Sequence, residues 1–311
     1  MEDHNKKTRR DFFRKSLEAG LASAAGLSVL NSCSTEAKAE ANKIKVLTTD
    51  GKLVEIDSSL LQPVSKEPAV GEEAREGIPG RKFVMVIDLG RCKNAGKCTE
   101  NCQKGHDLAS SQKWMQVLLM KDNEVTAPYW MPKPCFHCDN PPCVKVCPVD
   151  ATFKRQDGIV LVDNERCIGC KFCMSACPYS ARIFNWEDRP EYDLTDQVYS
   201  PETSVPGQVG TVGKCDFCPD LSREGKLPHC VTGCPMGAIY FGDANEDAVS
   251  NGTETVRFKK LLADRAGYRY LEELGTEPRV YYLPPTERMF PYERGFEDMS
   301  EEEVEFYKEF I

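Results

Sequence analysis

The sequence predicts an α+β fold in which short strands deliver the chain into cysteine-bearing loops and short helices carry it back. Three observations lead there. Sixteen cysteines in 311 residues fall into four bursts with one outlier, Cys33. Apolar runs of strand length precede two bursts, Phe83 to Ile87 before Arg91-Cys92 and Gly158 to Val162 before Arg166-Cys167. Matching runs, Ala181 to Trp186 and Ala238 to Phe241, follow the third and fourth bursts, so strand, cysteine loop, short helix and strand recur as an internal repeat.

A chain of this length holds one large or two modest domains, and bound metal lowers the size of core each needs. The formal net charge of -9 argues against a nucleic-acid surface, which needs clustered Lys and Arg, and favours an acidic, soluble exterior.

In chain order, residues 1–32 read as a twin-arginine export signal: Thr8-Arg9-Arg10-Asp11-Phe12-Phe13 precedes an apolar stretch, Leu21 to Leu30, too short to span a bilayer. The alternative is a basic amphipathic surface helix. Twin-arginine export carries folded proteins, so thiols could be ligated before meeting an oxidising compartment. Leu30-Asn31-Ser32-Cys33 has the form of a lipoprotein cleavage box, making Cys33 a lipidation site; Ala37-Lys38-Ala39 is the competing ordinary cleavage site. The expected location is the periplasmic side, membrane-associated through a lipid anchor or a partner only.

Residues 33–80 are expected to hold a hairpin and a linker. Lys43 to Asp57 alternates around a turn at Asp50-Gly51, and Gln62 to Gly80 turns to Pro, Glu and Gly, the composition of a linker or partner-contacting arm. Residues 81–285 carry the bursts. Ala151 to Val162 reads as a hairpin turned at Asp157-Gly158, and Gly275 to Leu283 contains a Val-Tyr-Tyr-Leu strand. The acidic tail, 286–311, ends in a helix opened by the capping box Ser300 and Glu303, with Val304, Tyr307 and Ile311 on one face for packing or partner docking.

The bursts carry the chemistry. Cys167, Cys170, Cys173 and Cys177 with Pro178 have the bacterial ferredoxin spacing, in which three thiolates grip one iron-sulfur cluster and the fourth reaches its neighbour. Cys135, Cys138, Cys143 and Cys147 with Pro148 differ by two residues in the middle gap, so the two runs can exchange fourth cysteines as one two-cluster module. Cys215, Cys218, Cys230 and Cys234 with Pro235 are complete with a long insertion. Cys92, Cys98 and Cys102 lack the second member, where Ala95 stands. Disulfides fit poorly with repeated Cys-Pro endings, and a zinc site would use the C-x2-C pairs but not the third cysteine.

From about Phe83 to Leu283 the chain resembles the four-cluster iron-sulfur subunits of DMSO-reductase-type molybdoenzymes, a group including polysulfide and tetrathionate reductases. MPKPCFHCDNPPCVKVCP, DGIVLVDNERCIGCKFCMSACPYSARIFNW, KCDFC and CVTGCPMGAIYFGD carry the likeness. The resemblance implies tandem ferredoxin-like dicluster modules with a pseudo-twofold internal repeat, beside the hairpin extension and helical tail. It implies that Cys135, Cys138 and Cys143 join Cys177 on one 4Fe-4S cluster, and Cys167, Cys170 and Cys173 join Cys147 on another. Cys215, Cys218 and Cys230 would join Cys102, leaving Cys92, Cys98 and Cys234 for the fourth. Similar ferredoxins use three cysteines for a 3Fe-4S cluster, so the expectation is three 4Fe-4S clusters and one 3Fe-4S cluster. A four-iron cluster with a substitute ligand, for which Asn94 and His106 are nearest in sequence, and an empty site are the alternatives. His137, His229, Lys171 and Lys214 adjoin ligands and either tune potentials or merely solvate the surface.

A line of clusters suits one-electron relay, and no nucleotide loop, catalytic triad or H-E-x-x-H is present. The expected function is therefore an electron-transfer subunit of anaerobic respiration without catalytic residues of its own. The resemblance implies a molybdopterin catalytic subunit as one partner and an integral membrane quinol-reactive subunit or multihaem cytochrome as the other. An iron-sulfur enzyme acting at the three-cysteine cluster and a free-standing periplasmic polyferredoxin are the rival readings.

Overall fold

The computed structural model describes residues 43–47, 53–57, 71–123, 126–187, 199–203, 207–286, 288 and 300–308. The export signal, Cys33 and the Asp50-Gly51 turn lie outside them. β1 (Lys43–Leu47) and β2 (Leu53–Asp57) pair antiparallel, Ile44 opposite Ile56 and Val46 opposite Val54. After α1 (Gly71–Glu76) comes β3 (Phe83–Asp88), buried at all six residues. It feeds the first cysteine loop and α2 (Lys97–Gly105). A hairpin of β4 (Gln116–Met120) and β5 (Tyr129–Lys133) follows.

The central motifs supply α3 (Pro142–Lys145), the hairpin β6 (Thr152–Lys154) and β7 (Val160–Val162), and α4 (Phe172–Ser175). β8 (Ile183–Phe184) then pairs with β9 (Val212–Gly213). The last motif supplies α5 (Pro219–Arg223) and α6 (His229–Gly233). The chain continues through β10 (Ile239–Asp243), β11 (Ala248–Ser250), β12 (Thr255–Arg257), α7 (Phe258–Asp264), a 3-10 turn at Glu272–Leu274 and β13 (Val280–Leu283). α8 (Glu301–Lys308) begins after Ser300, whose carbonyl accepts the Val304 N–H at 2.9 Å.

One sheet organises the chain, in the order β12-β11-β10-β3-β13, with β10 antiparallel and β13 parallel to β3. Val84 and Val86 of β3 pack on one side with Tyr240, Val249, Leu283 and Phe258 of α7. Phe83, Met85 and Ile87 pack on the other, in the core that holds Cys98, Cys102, Cys135 and Cys215. Both faces of β3 are covered, which is why its sequence is a continuous apolar run rather than an alternation. Phe83 and Phe241 stack across the β3–β10 pair at 5.5 Å.

The hairpin expected over 151–162 forms with Phe153 opposite Leu161. Gly158 takes φ 89 in its turn, where an added Cβ would lie 2.6 Å from the Arg279 Cζ. Three features depart from expectation. The return strand at 181–186 shrinks to Ile183–Phe184, because past the Asn185 N–H bond to the Thr211 carbonyl (2.9 Å) the partner segment turns, Thr211 N–H donating to the Gln208 carbonyl and Gly210 N–H to the Asn185 carbonyl. The β4–β5 hairpin was not signalled, since Pro132 interrupts it; in a two-stranded ribbon its missing N–H costs no ladder bond on the outer edge.

The linker reading of 62–80 fails over its described part. Ala74 is fully buried with its carbonyl accepting from Arg155, and the Ile78 N–H donates to Asp157 at 3.0 Å. Asp157 also accepts from the Ile159 N–H at 3.1 Å and from Arg155 Nε, while Arg155 and Arg223 share Glu202. This buried, mutually paired network fastens a polar segment that has little apolar surface of its own.

Replacing Asp157 by Ala leaves Arg155 short of its partner and two N–H groups unsatisfied, so it should lower unfolding free energy by about 3–5 kcal/mol. Asp150→Ala removes a carboxylate that is 68% exposed in its pair with Arg75 and should cost less than about 1 kcal/mol. Chemical denaturation of the two variants beside the parent checks the contrast.

Candidate metal centres

Each cysteine loop is shaped by residues in the left-handed region. Gly96 (φ 68) precedes α2, Lys171 (φ 63) precedes α4, and Phe217 (φ 67) and Cys218 (φ 49) precede α5. These reversals wrap the loop around its own interior, so that sulfurs from a few consecutive residues face one point. The cysteines that end three motifs share another device. Proline fixes φ and cannot donate, and the chain turns back so that later N–H groups reach the sulfur. Thr152 N–H approaches Cys147 Sγ at 3.4 Å and Ala238 N–H approaches Cys234 Sγ at 3.3 Å. Burial pushes the Cys147 thiol up, but the N–H groups of Thr152, Val149 and Ala151 more than offset it and hold the thiol below its usual value.

Four thiol sets result. Site III is a cavity lined by Cys135, Cys138, Cys143 and Cys177. Site IV is a cavity lined by Cys147, Cys167, Cys170 and Cys173. The central motifs therefore exchange their fourth cysteines, and α3 packs on α4 between them. In site II, Cys102 lies among the buried Cys215, Cys218 and Cys230; burial and these thiols push Cys102, Cys218 and Cys230 well up. In site I, burial together with Cys234 and Cys92 pushes Cys98 up to about 11. The packing of α2 on α6, with Asn101 against Gly233, brings the first and last motifs together.

The sets form a line. Cys98 of site I adds to the upward shift of Cys102 and Cys230 in site II. Cys135 of site III does so for Cys215 of site II, and Cys143 of site III for Cys173 of site IV. The order is I, II, III, IV. Site II is wholly buried, whereas Cys170 of site IV is exposed and Cys92 and Cys234 of site I are half-buried.

Neither substitute ligand considered for the Ala95 position meets site I as a side-chain donor. Ala95 and Asn94 are exposed, and it is the Asn94 backbone that reaches Cys92. His106 lies at site II, its Nε2 3.3 Å from Cys218 Sγ and 3.5 Å from Asp216 Oδ1. The α2 helix carries it past site I, because His106 follows Cys102 by one helical turn. Of the four flanking residues, His137 and Lys214 are buried, Lys214 donating to the carbonyls of Cys215 (2.8 Å) and Val160. Lys171 covers the rings of Phe184 and Trp186 at 4.1 and 3.8 Å, and His229 stands edge-on to His106 at 5.5 Å.

A 4Fe-4S dicluster domain matches residues 126–191 and 203–244. One subunit of the selenate reductase of Mesobacillus selenatarsenatis is 33% identical over 297 residues, covering 89% of this chain and 97% of that protein. A tetrathionate reductase subunit of Salmonella typhimurium is 38% identical over 217 residues, 68% of this chain and 76% of that protein. The putative dimethyl sulfoxide reductase iron-sulfur subunit of Halobacterium salinarum is 37% identical over 219 residues, 65% and 78%. This protein is a member of that family of reductase iron-sulfur subunits.

The interior of the subunit fits such clusters. Sites II, III and IV each offer four thiols, the number a 4Fe-4S cluster takes, and site I offers three. Two buried donors lining site III, Arg182 Nη2 and His137 Nε2, have no partner among the described residues. His137 Nδ1 accepts the Val160 N–H at 2.9 Å, so Nε2 carries the hydrogen. Two such donors suit thiolate and sulfide acceptors. Sequence reasoning passed over Arg182 and Asp216; the available signal was a charged residue inside an apolar return run and inside a ligand run, respectively. Burial pushes Asp216 up to about 7, against the Cys218 N–H that donates to it at 2.8 Å, and burial holds His106 down to about 4.

Ligation should protect all fifteen thiols of these sites from alkylation. Once iron is stripped, Cys170 should label first because it is exposed, and Cys102, Cys218 and Cys230 last, because burial disfavours their reactive thiolates. Peptide mass spectrometry over time checks the order; Cys218 labelling ahead of Cys170 contradicts it.

Proposed function

We propose that the protein relays electrons one at a time along sites I to IV, between a molybdopterin catalytic subunit and a membrane quinol-reactive subunit or cytochrome. The observation that carries this reading is the line of four thiol sets with a sealed interior and open ends. Bound clusters supply one-electron carriers whose ligands rearrange little. The residues of the chain hold them at fixed neighbouring positions, exclude water from site II and leave the ends approachable by partners. The names of the relatives, subunits of selenate, tetrathionate and dimethyl sulfoxide reductases, support a catalytic partner of that enzyme class.

The same proposal assigns three 4Fe-4S clusters to sites II, III and IV and one 3Fe-4S cluster to site I, where Ala95 withholds the fourth thiol. It divides the sequence into a four-cluster domain, 81–285, of two modules related by a pseudo-twofold repeat, between the hairpin segment and the acidic tail. It also extends to location. The twin-arginine pattern supports export with the clusters in place, and Leu30-Asn31-Ser32-Cys33 supports a lipid on Cys33 at the periplasmic face. Among the described residues, no helix is long and apolar enough to cross a membrane.

Purified protein should be brown, with about fifteen iron atoms per chain and a paramagnetic three-iron signal when oxidised. It should take up electrons from a chemical reductant yet turn over no respiratory acceptor alone; turnover without a partner would overturn the relay. Ala95→Cys should add about one iron and abolish the oxidised three-iron signal, read by iron analysis and electron paramagnetic resonance. An unchanged signal in the iron-replete variant rules out a three-iron cluster at site I. Intact mass of the mature chain, starting at an acylated Cys33, checks the anchor.

A further inference from the structure

Arg182 stands out among the buried arginines. Three arginines are buried among the described residues, and two are neutralised: Arg155 by Asp157 and Glu202, and Arg279 by Asp139 at 2.7 Å. Arg182, only 6% exposed, has no carboxylate partner among the described residues. A permanently charged guanidinium left alone in an interior is strongly unfavourable, so its counter-charge must arrive with something the site binds.

Its position identifies that counter-charge. The side chain lines site III. Its Nη1 donates to Thr152 Oγ1 at 3.2 Å, and Thr152 lines site IV and gives its own N–H to Cys147 Sγ. Cys135 and Cys143 line the same cavity as the guanidinium, and Cys143 packs against Cys173 of site IV. Those thiols belong to both sites. Nη2 is buried without a partner among the described residues.

We propose that Arg182 is the shared counter-charge of sites III and IV, a positioning residue that stabilises the reduced state of both clusters and so raises their reduction potentials together. Clusters ligated by thiolates are net negative and gain one more negative charge on reduction. A fixed cation beside both therefore favours the reduced form at each. Site II has different surroundings, with the buried Asp216 carboxyl beside Cys218 and the buried Lys214 ammonium on the Cys215 carbonyl. The inference rests on the ligand reading above; iron content of the parent protein tests that reading, and the comparison of loaded variants tests this one.

The test is a redox titration of the full-length, cluster-loaded protein, followed by electron paramagnetic resonance, for the parent, Arg182→Lys and Arg182→Gln. In Arg182→Gln two of the potentials should fall, on the order of tenfold in the ratio of reduced to oxidised cluster at fixed potential, about 59 mV for one electron. The three-iron signal of site I serves as internal reference and should not move. Arg182→Lys keeps the charge and should restore most of the shift. Unmoved potentials in Arg182→Gln, equal shifts at every cluster, equal shifts in both variants, or iron loss from both would each overturn the proposal, the last two by revealing a packing role.

Discussion

Thiols from distant parts of the chain have to converge on four interior points, and the remaining architecture answers to that requirement. Within a motif, left-handed residues such as Lys171 and Cys218 coil the backbone tightly enough for neighbouring sulfurs to face one centre. Between motifs, the sheet does the work. The antiparallel pairing of β3 with β10 holds the first and last motifs side by side, as the β6–β7 hairpin holds the second and third. Regular structure is sparse because each element needs only to fix the ends of a loop.

Electrostatics divides the interior. Around site II lie the buried Lys214 and acids and a histidine whose ordinary charges burial suppresses, Asp216 drifting up to about 7 and His106 down to about 4. Around sites III and IV lie Arg182 and, half-buried against Cys177, Lys133. Identical ligands in unlike surroundings acquire unlike potentials, so the protein can set an uneven energy profile along the line without altering a cysteine.

The chemistry of the sites was legible because it is local: a thiolate motif states its ligands in consecutive residues, and the departure at Ala95 is visible by comparison with its neighbours. Strands such as β3 and β13 were legible because burial on both faces leaves an unbroken apolar run. What the sequence concealed depends on distant partners. The residues at 71–80 look like a linker until Arg155 and Asp157 are seen to hold them. His106 is nearest in sequence to the incomplete motif, yet the helical turn after Cys102 carries it to Cys218. Arg182 is one charge among 40 Lys and Arg residues until its lack of a carboxylate partner among the described residues is known.

The interleaving of first with last motifs also sets a schedule for the ribosome. Once residue 177 has emerged, every thiol of sites III and IV exists, and that module can close around its iron while the rest is still being made. Site II waits for Cys230 and site I for Cys234. Cys92, Cys98 and Cys102, the first of these thiols to appear, wait longest for their partners through translation. The three-cysteine site is thus the last to be completed on the growing chain, and a truncated product would carry the inner module while leaving the early thiols open to oxidation.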